Sequence, residues 1–377
     1  MRIQNGILLT MEGECFEHGY VDLEGGKISG FGDMAKAPAA AGEVYDAEGG
    51  YILPGFIDAH THIGISEEGL RWEGADYNAS TRSVTPEMQA VDGFNPFDTA
   101  IPKALAGGVT TAAVSPGSAN VIGGWIAAVK LTGRDVEAMT LKNPAAMKFA
   151  LGENPKNIHG NNGSEPKTRM ASAALIRKTL KEAQRYMAKK EAGEDVFDPA
   201  CEALIPLLKR QIPAHFHAHR ADDILTAIRL AKEFDLKFCI VHATGAAKVA
   251  DILGQYDFIP LVGPSLGPAG KPETVGTSFA TAGILRRAGL TVSITTDHDV
   301  TPLELLPFFA ALCVREGLPE EDALKAITIT AAKALGVEDR VGSIAVGKDA
   351  DICVFDDHPF RIMSRAKAIF IDGNRVL

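Results

Sequence analysis

The chain has 377 residues, 46% hydrophobic and 23% charged, with 38 Lys+Arg against 48 Asp+Glu and a formal charge of −10. This is globular composition with apolar material for a large core, and it argues against disordered and fibrous architectures. The acidic balance, with no basic stretch long enough to track a phosphate backbone, disfavours nucleic-acid binding. The most apolar runs, such as Pro307 to Val314, fall far short of the ~20 residues of a membrane span. Met1-Arg2-Ile3-Gln4-Asn5 lacks a signal-peptide apolar region, so a soluble cytoplasmic protein is expected. Cys15, Cys201, Cys239, Cys313 and Cys353 are odd in number, scattered and never in a C-x-x-C pair, which points to core thiols in a reducing compartment.

Residues 1–52 read as short strands around Ile7-Leu8-Leu9, Tyr20 to Leu23 and Lys27 to Phe31, with a Glu24-Gly25-Gly26 turn. Residues 53–344 then alternate strand-like runs with helix-length segments. The expected strands are Phe56 to His60, Val109 to Val114, a weaker one near Ile126 to Leu131, Ala146 to Leu151, His215 to His219, Phe238 to His242, Phe258 to Val262, and Val292 to Asp297. Ile176, Leu180, Ala183 and Met187 share one helical face, Asp222 and Asp223 open a further helix, and Thr301-Pro302-Leu303-Glu304 carries a capping box. Residues 345–377 return to strand texture in Asp351 to Phe355 and Ala368 to Ile371, closed by the Asp372-Gly373 hairpin signal. The reading is α/β: a (β/α)₈ barrel over 53–344 with a small composite β-sandwich built from 1–52 and 345–377.

Ten histidines are present, and seven of them (His60, His62, His215, His217, His219, His242, His298) lie at or beside four predicted strand ends. In Phe56-Ile57-Asp58-Ala59-His60-Thr61-His62 the strand period of two puts both imidazoles on one face, where they can share a metal ion. His217 and His242 arrive at the ends of later strands. Thr296-Asp297-His298 adds a carboxylate that can bind a metal and accept a proton from water. Nitrogen and oxygen donors of this kind suit Zn²⁺, Mn²⁺, Fe²⁺ or Co²⁺.

These residues resemble the amidohydrolase superfamily of metal-dependent hydrolases. The resemblance rests on Leu53-Pro54-Gly55-Phe56-Ile57-Asp58-Ala59-His60-Thr61-His62, the later strand-end histidines, the Thr296-Asp297-His298 step and the tail Gly342 to Asp351. It spans almost the whole chain and looks closest to imidazolonepropionase-related and prolidase-like branches. It implies that His60 and His62 hold the more buried of one or two divalent metals, most simply Zn, that His217 and His242 hold the second, and that Asp297 both ligates and acts as general base. Binuclear members bridge their metals with a carboxylated lysine or a glutamate. Here Lys148, mid-strand, is favoured over Glu153 at the rim, and both stay open.

Imidazolonepropionases and many deaminases of the superfamily carry an acidic residue shortly after the strand-five histidine. Here His217 is followed by Ala218, His219 and Arg220. The expected activity is therefore hydrolysis of an amide or similar C–N bond of a small polar substrate by a metal-activated water, with a deaminase or a non-catalytic regulatory relative as rivals. His219, Arg220 and Asn120, the last in a glycine-rich stretch from Ser115 to Gly124, are candidate substrate contacts, and Arg82 is a further one. The polar segment Asn154 to Met170 is a candidate lid. A homo-oligomer is an expectation from the family alone.

Overall fold

In the computed structural model, which describes residues 1–267 and 269–377, the chain builds two eight-stranded sheets. The larger one is a barrel whose strands we number β1 (Phe56–Thr61), β2 (Val109–Val114), β3 (Ile122–Lys130), β4 (Thr140–Ala150), β5 (Ala214–Ala218), β6 (Phe238–His242), β7 (Ile259–Val262) and β8 (Ser293–Ile294). They hydrogen-bond in sequence order. Every residue of β1, β2 and β5 is buried, as expected of strands packed between an interior and an outer helical layer.

All eight expected barrel strands are present, with one reversed. β1 and β2 are parallel, and so are all neighbours from β4 to β8, but β3 runs antiparallel to both β2 and β4. The connections 115–121 and 131–139 are shorter than the dozen or so residues that a parallel crossover needs, so the chain can only double back. The last strand is also shorter than expected. It ends at Ile294, and Asp297 lies in the loop beyond it.

The helix after β8 begins differently from the capping-box expectation. Pro302 is extended, Leu303–Leu305 forms a single 3₁₀ turn, and the α-helix spans Leu306–Arg315. The Thr301 hydroxyl finds no partner, because the Leu303 N–H donates to His298 Nδ1 (3.2 Å) instead. The Ala221–Glu233 helix does open with Asp222 and Asp223 in its first turn. No helix is long and apolar enough to cross a membrane among the described residues.

The second sheet joins both ends of the chain. Tyr51–Pro54 pairs antiparallel with Ile352–Phe355, which pairs in turn with Ala366–Ile371, while Arg2–Leu9, Cys15–Glu24 and Lys27–Asp33 continue on the other side. Ile3, Val21, Ile52, Ile352, Val354 and Phe370 pack into one apolar core drawn from both ends.

One buried cation ties this sheet to the barrel. Lys130, the last residue of β3, lies 2.7 Å from Asp349, 3.0 Å from Asp351 and 2.6 Å from Asp372. Asp349 also meets Arg340 (2.7 Å) and Lys27, so the Asp349-Ala350-Asp351 motif is a charge socket for β3. Gly55 lets β1 pass beside β2, since a Cβ there would sit 2.1 Å from Thr110 Oγ1, and its N–H donates to the Asp351 carbonyl (2.9 Å). Replacing Lys130 with Met leaves the buried Asp351 carboxylate without its cation and should cost about 3–5 kcal/mol of stability in urea unfolding. A loss below about 1 kcal/mol would show that the socket does not hold the sheets together.

Candidate metal centre

The strand period places Asp58, His60 and His62 on one face of β1, and all three are buried. His62 donates its Nδ1 proton to the Ser115 carbonyl (2.7 Å), which leaves a lone pair on Nε2. That atom and His60 Nε2 lie 3.5 and 3.2 Å from Asp297 Oδ1, an oxygen with no hydrogen-bond partner. Four-coordinate ligands at about 2.0–2.2 Å from a Zn²⁺ are separated by roughly 3.3 Å, so this trio has the spacing of a half-built metal site.

Asp58 sets that spacing. Its carboxylate accepts the His60 N–H (3.0 Å) on one oxygen, and the Thr296 N–H (2.8 Å) and hydroxyl (2.7 Å) on the other. Thr295 donates its hydroxyl to the His60 carbonyl (2.6 Å). β1 and the loop after β8 are thereby clamped, and Asp297 is held at φ +51°, a left-handed conformation costly for a non-glycine residue. Burial pushes Asp58 up to about 6, against the opposing bonds from Thr296, Thr295 and His60.

A second group, His217, His219 and His242, comes from β5, the residue just after it, and the end of β6. His242 Nδ1 faces the Gly263 carbonyl (2.8 Å) and its Nε2 faces His217 Nδ1 (2.8 Å). His219 stacks on His242 with ring centres 4.4 Å apart and bonds Thr244 Oγ1 through Nδ1 (2.8 Å). Burial holds His60, His217 and His219 well below the usual imidazole range and lowers His242 to about 4. Burial would raise Asp297, but the imidazoles, His242 foremost, keep it well below the carboxylate range.

Lys148 sits on β4 between the groups, fully buried, with Nζ 3.3 Å from His60 Nε2 and 3.4 Å from Ser115 Oγ. Burial lowers it to about 7. Glu153 stands outside both ligand groups, in the first turn of the Glu153–Ile158 helix. Asn120 is buried, donating to Thr85 Oγ1 (2.7 Å) beside His159. Arg220 makes a two-bond surface pair with Asp222 (2.9 Å each), and Arg82 pairs with Glu87. Among the described residues, the cavity at the barrel mouth is not lined by Asn120, Arg220 or Arg82. His215, one step deeper on β5, donates to the Ala334 carbonyl (3.0 Å).

That cavity, about 420 Å³, is lined by His62, Tyr77, Asn154, Lys271, Asp297 and Asp299 among others. Tyr77 stacks on His62 at 5.1 Å. The expected lid is partly helical, and Asn154 and Ile158 reach the cavity from it. Three contributors were not singled out from the sequence. Asp58 lies inside the quoted motif, two residues before His60, where the strand period already signals it. Tyr77 belongs to a loop and Glu273 to the single 3₁₀ turn Pro272–Thr274, and neither stretch carries a periodicity to read. Glu273 is buried, with Oε1 3.7 Å from His217 Nε2 and 3.9 Å from His219 Nε2.

These depressed imidazoles make the stability of metal-free protein depend on pH. Below about pH 6.5 the unfolded chain takes protons on His60, His215, His217, His219 and His242, whereas in the folded chain burial lowers His215 and His242 to about 4 and holds His60, His217 and His219 well below the usual imidazole range. Asp58 and Asp351, both pushed up to about 6, work the other way but are two groups against five. Thermal unfolding of chelator-treated protein should therefore show stability falling as pH drops from about 6.5 to 4.5. A flat or opposite slope would contradict buried neutral imidazoles.

Two models of the amidohydrolase family match the chain, over residues 51–252 and 173–376. A solved amidohydrolase from Thermotoga maritima superposes with a TM-score of 0.95 at 41% identity, covering 100% of this chain and 99% of that one. An amidohydrolase of Hapsidospora irregularis is 30% identical across 88% of this chain, which spans only 37% of that larger protein. The imidazolonepropionase of Sphingopyxis alaskensis is 25% identical, over 94% of this chain and 91% of its own length. The chain belongs to the amidohydrolase superfamily and is a metal-binding hydrolase acting on carbon–nitrogen bonds.

Proposed function

We propose that the chain hydrolyses an amide or similar C–N bond of a small polar substrate seated in the cavity at the barrel mouth, with Asp297 as general base. The observation that carries this is the pair of buried histidine groups facing one another across Asp297. The donors fit a borderline cation such as Zn²⁺: buried imidazole nitrogens, one ionised carboxylate, and an unpartnered Asp297 oxygen 3.2 and 3.5 Å from two of those nitrogens. When bound, divalent cations would supply a water acidified for attack and a polarised carbonyl.

The protein's own contribution is orientation and proton transfer. Asp297, ionised and pointed at His60 and His62, is positioned to take a proton from water and return it to the leaving nitrogen. Ser115 and Gly263 carbonyls fix the His62 and His242 tautomers. Lys148 is the proposed bridging residue as its carbamate, formed when the neutral amine adds to CO₂ and releases one proton. Its burial and its position beside His60 support that reading. Glu153 is the weaker candidate, since it is half-exposed and outside both ligand groups.

The missing acid after His217 favours amide hydrolysis over imidazolone opening or ring deamination, because no carboxylate follows there to carry protons to a ring nitrogen. The five cysteines are all unpaired, which supports a reducing, cytoplasmic compartment. Asp297→Asn should keep the fold, judged by circular dichroism, and reduce amine release from a panel of small N-acyl compounds by about 10²–10⁴-fold. Wild-type turnover in that variant would overturn the assignment of the base.

A further inference from the structure

We propose that Lys271 decides which substrates the barrel mouth accepts: its ammonium holds a carboxylate of the substrate near the scissile bond, so that the preferred compounds are small amides bearing an anionic group. This rests on the reading of the chain as an amide hydrolase and deepens it to a substrate class.

Among the described residues, the cavity at the barrel mouth is lined by a single lysine, Lys271, and by no arginine. Arg82 and Arg220, the cations that the sequence offers for this task, are paired with Glu87 and Asp222 and stand outside the cavity. Lys271 is placed where they are not. Its Nζ lies 3.1 Å from Glu273 Oε1, and that same oxygen lies 3.7 Å from His217 Nε2 and 3.9 Å from His219 Nε2. The ammonium therefore stands one carboxylate away from the imidazoles, and an anion bound to it belongs to a group close to the reacting bond. The negative charges of the cavity lie elsewhere. Asp299, which also lines it, is tied to the segment after β1 by the Ser66 hydroxyl (2.8 Å), whereas Lys271 is tied to the segment after β4 by Asn154 (3.0 Å). An anionic group is repelled at Asp299 and attracted at Lys271, which fixes the direction in which such a substrate enters.

The ammonium is held in place with donors to spare. It carries three N–H groups. One reaches Asn154 Oδ1, and Asn154 is itself fixed by donating to the Ser118 hydroxyl (2.6 Å). Glu273 Oε1 is near but out of line, and it has no hydrogen-bond partner. The remaining N–H groups have no acceptor among the described residues. The ion pair with Glu273 does not exhaust the charge either, since Lys130 in the same chain serves Asp349, Asp351 and Asp372 with one ammonium. The backbone of Lys271 is pinned as well: its N–H donates to Thr274 Oγ1 (3.2 Å), and that hydroxyl donates back to the Lys271 carbonyl (2.8 Å). A free lysine loses rotamer entropy when it grips a ligand, and one already held at backbone and tip loses less. Glu273 neutralises the ammonium in the empty cavity, with its other oxygen anchored by the Glu153 N–H (3.0 Å).

The test compares N-acetyl amino acids with their carboxamides, pairs that differ in the charge beside the amide bond, on full-length protein. Ligand-observed NMR on metal-free protein reads binding without turnover, and acetate release by zinc-loaded protein reads kcat and KM. Wild-type protein should favour the acids by roughly 10–100-fold, the value of a hydrogen bond to a charged group. Lys271→Met, shown folded by circular dichroism, should bring acid and carboxamide level, chiefly by raising KM for the acid, whereas Lys271→Arg should keep the preference. Lys271→Met combined with Glu273→Gln removes both charges of the pair and takes its place if the single variant unfolds. A wild type that binds the acids no better than the carboxamides, or binds neither, overturns the proposal, and so does a preference that survives in Lys271→Met. Acetate release without such a preference leaves the amide-hydrolase reading standing. Acids that bind through Lys271 yet release no acetate support the anion site and count against amide hydrolysis.

Discussion

Buried lone pairs outnumber the protons available to them at the barrel mouth, and the surrounding structure is arranged to hold that imbalance in place. Six imidazole and carboxylate groups (His60, His62, His217, His219, His242 and Asp297) converge there, with orphaned atoms on four of them. Burial keeps the His60, His217, His219 and His242 rings from relieving the imbalance by taking protons. Backbone carbonyls at Ser115 and Gly263 claim the Nδ1 protons of His62 and His242, so that the opposite ring atoms face inward as acceptors. An acceptor-rich, proton-poor pocket of this kind is what cation binding requires, and it costs stability in the metal-free chain.

Holding such a pocket needs rigid edges. Asp58 receives three donors and joins β1 to the loop after β8, the one junction of the barrel where the sheet's hydrogen-bonded path does not continue. The backbone is strained at the site itself, with His242 at φ +75° and Asp297 at φ +51°, each a conformation that costs on the order of 1–3 kcal/mol. Interactions with charged groups, such as the Asp58 clamp and the Lys130 socket beneath β3, offset strain of this size. The terminal sheet therefore bears on function indirectly, by supporting the strand that packs beside Lys148 on β4.

Much of this was legible before the fold was known. The strand period fixes which side of β1 His60 and His62 occupy, and histidines at the ends of runs such as Phe238 to His242 mark the mouth of a barrel. Other features depend on distances that no local pattern encodes. β3 reads as one more apolar run, and only the shortness of its two connections reveals its reversed direction. Arg220 has the residue type of a substrate clamp, but the nearby Asp222 at the start of its helix captures it. Glu273 reaches the neighbourhood of His217 and His219 from the single 3₁₀ turn Pro272–Thr274, too short to show a period in the sequence.

The central claim, that this acceptor-rich pocket exists to hold cations on two opposed faces, is tested most directly by anomalous X-ray diffraction. Crystals of zinc-loaded protein would be measured on both sides of the zinc absorption edge. The account predicts two anomalous peaks at the barrel mouth, one among His60, His62 and Asp297 and the other against His217 and its neighbours on β5 and β6. A barrel mouth without anomalous density in zinc-saturated crystals, with the imidazoles hydrogen-bonded to water instead, would contradict it.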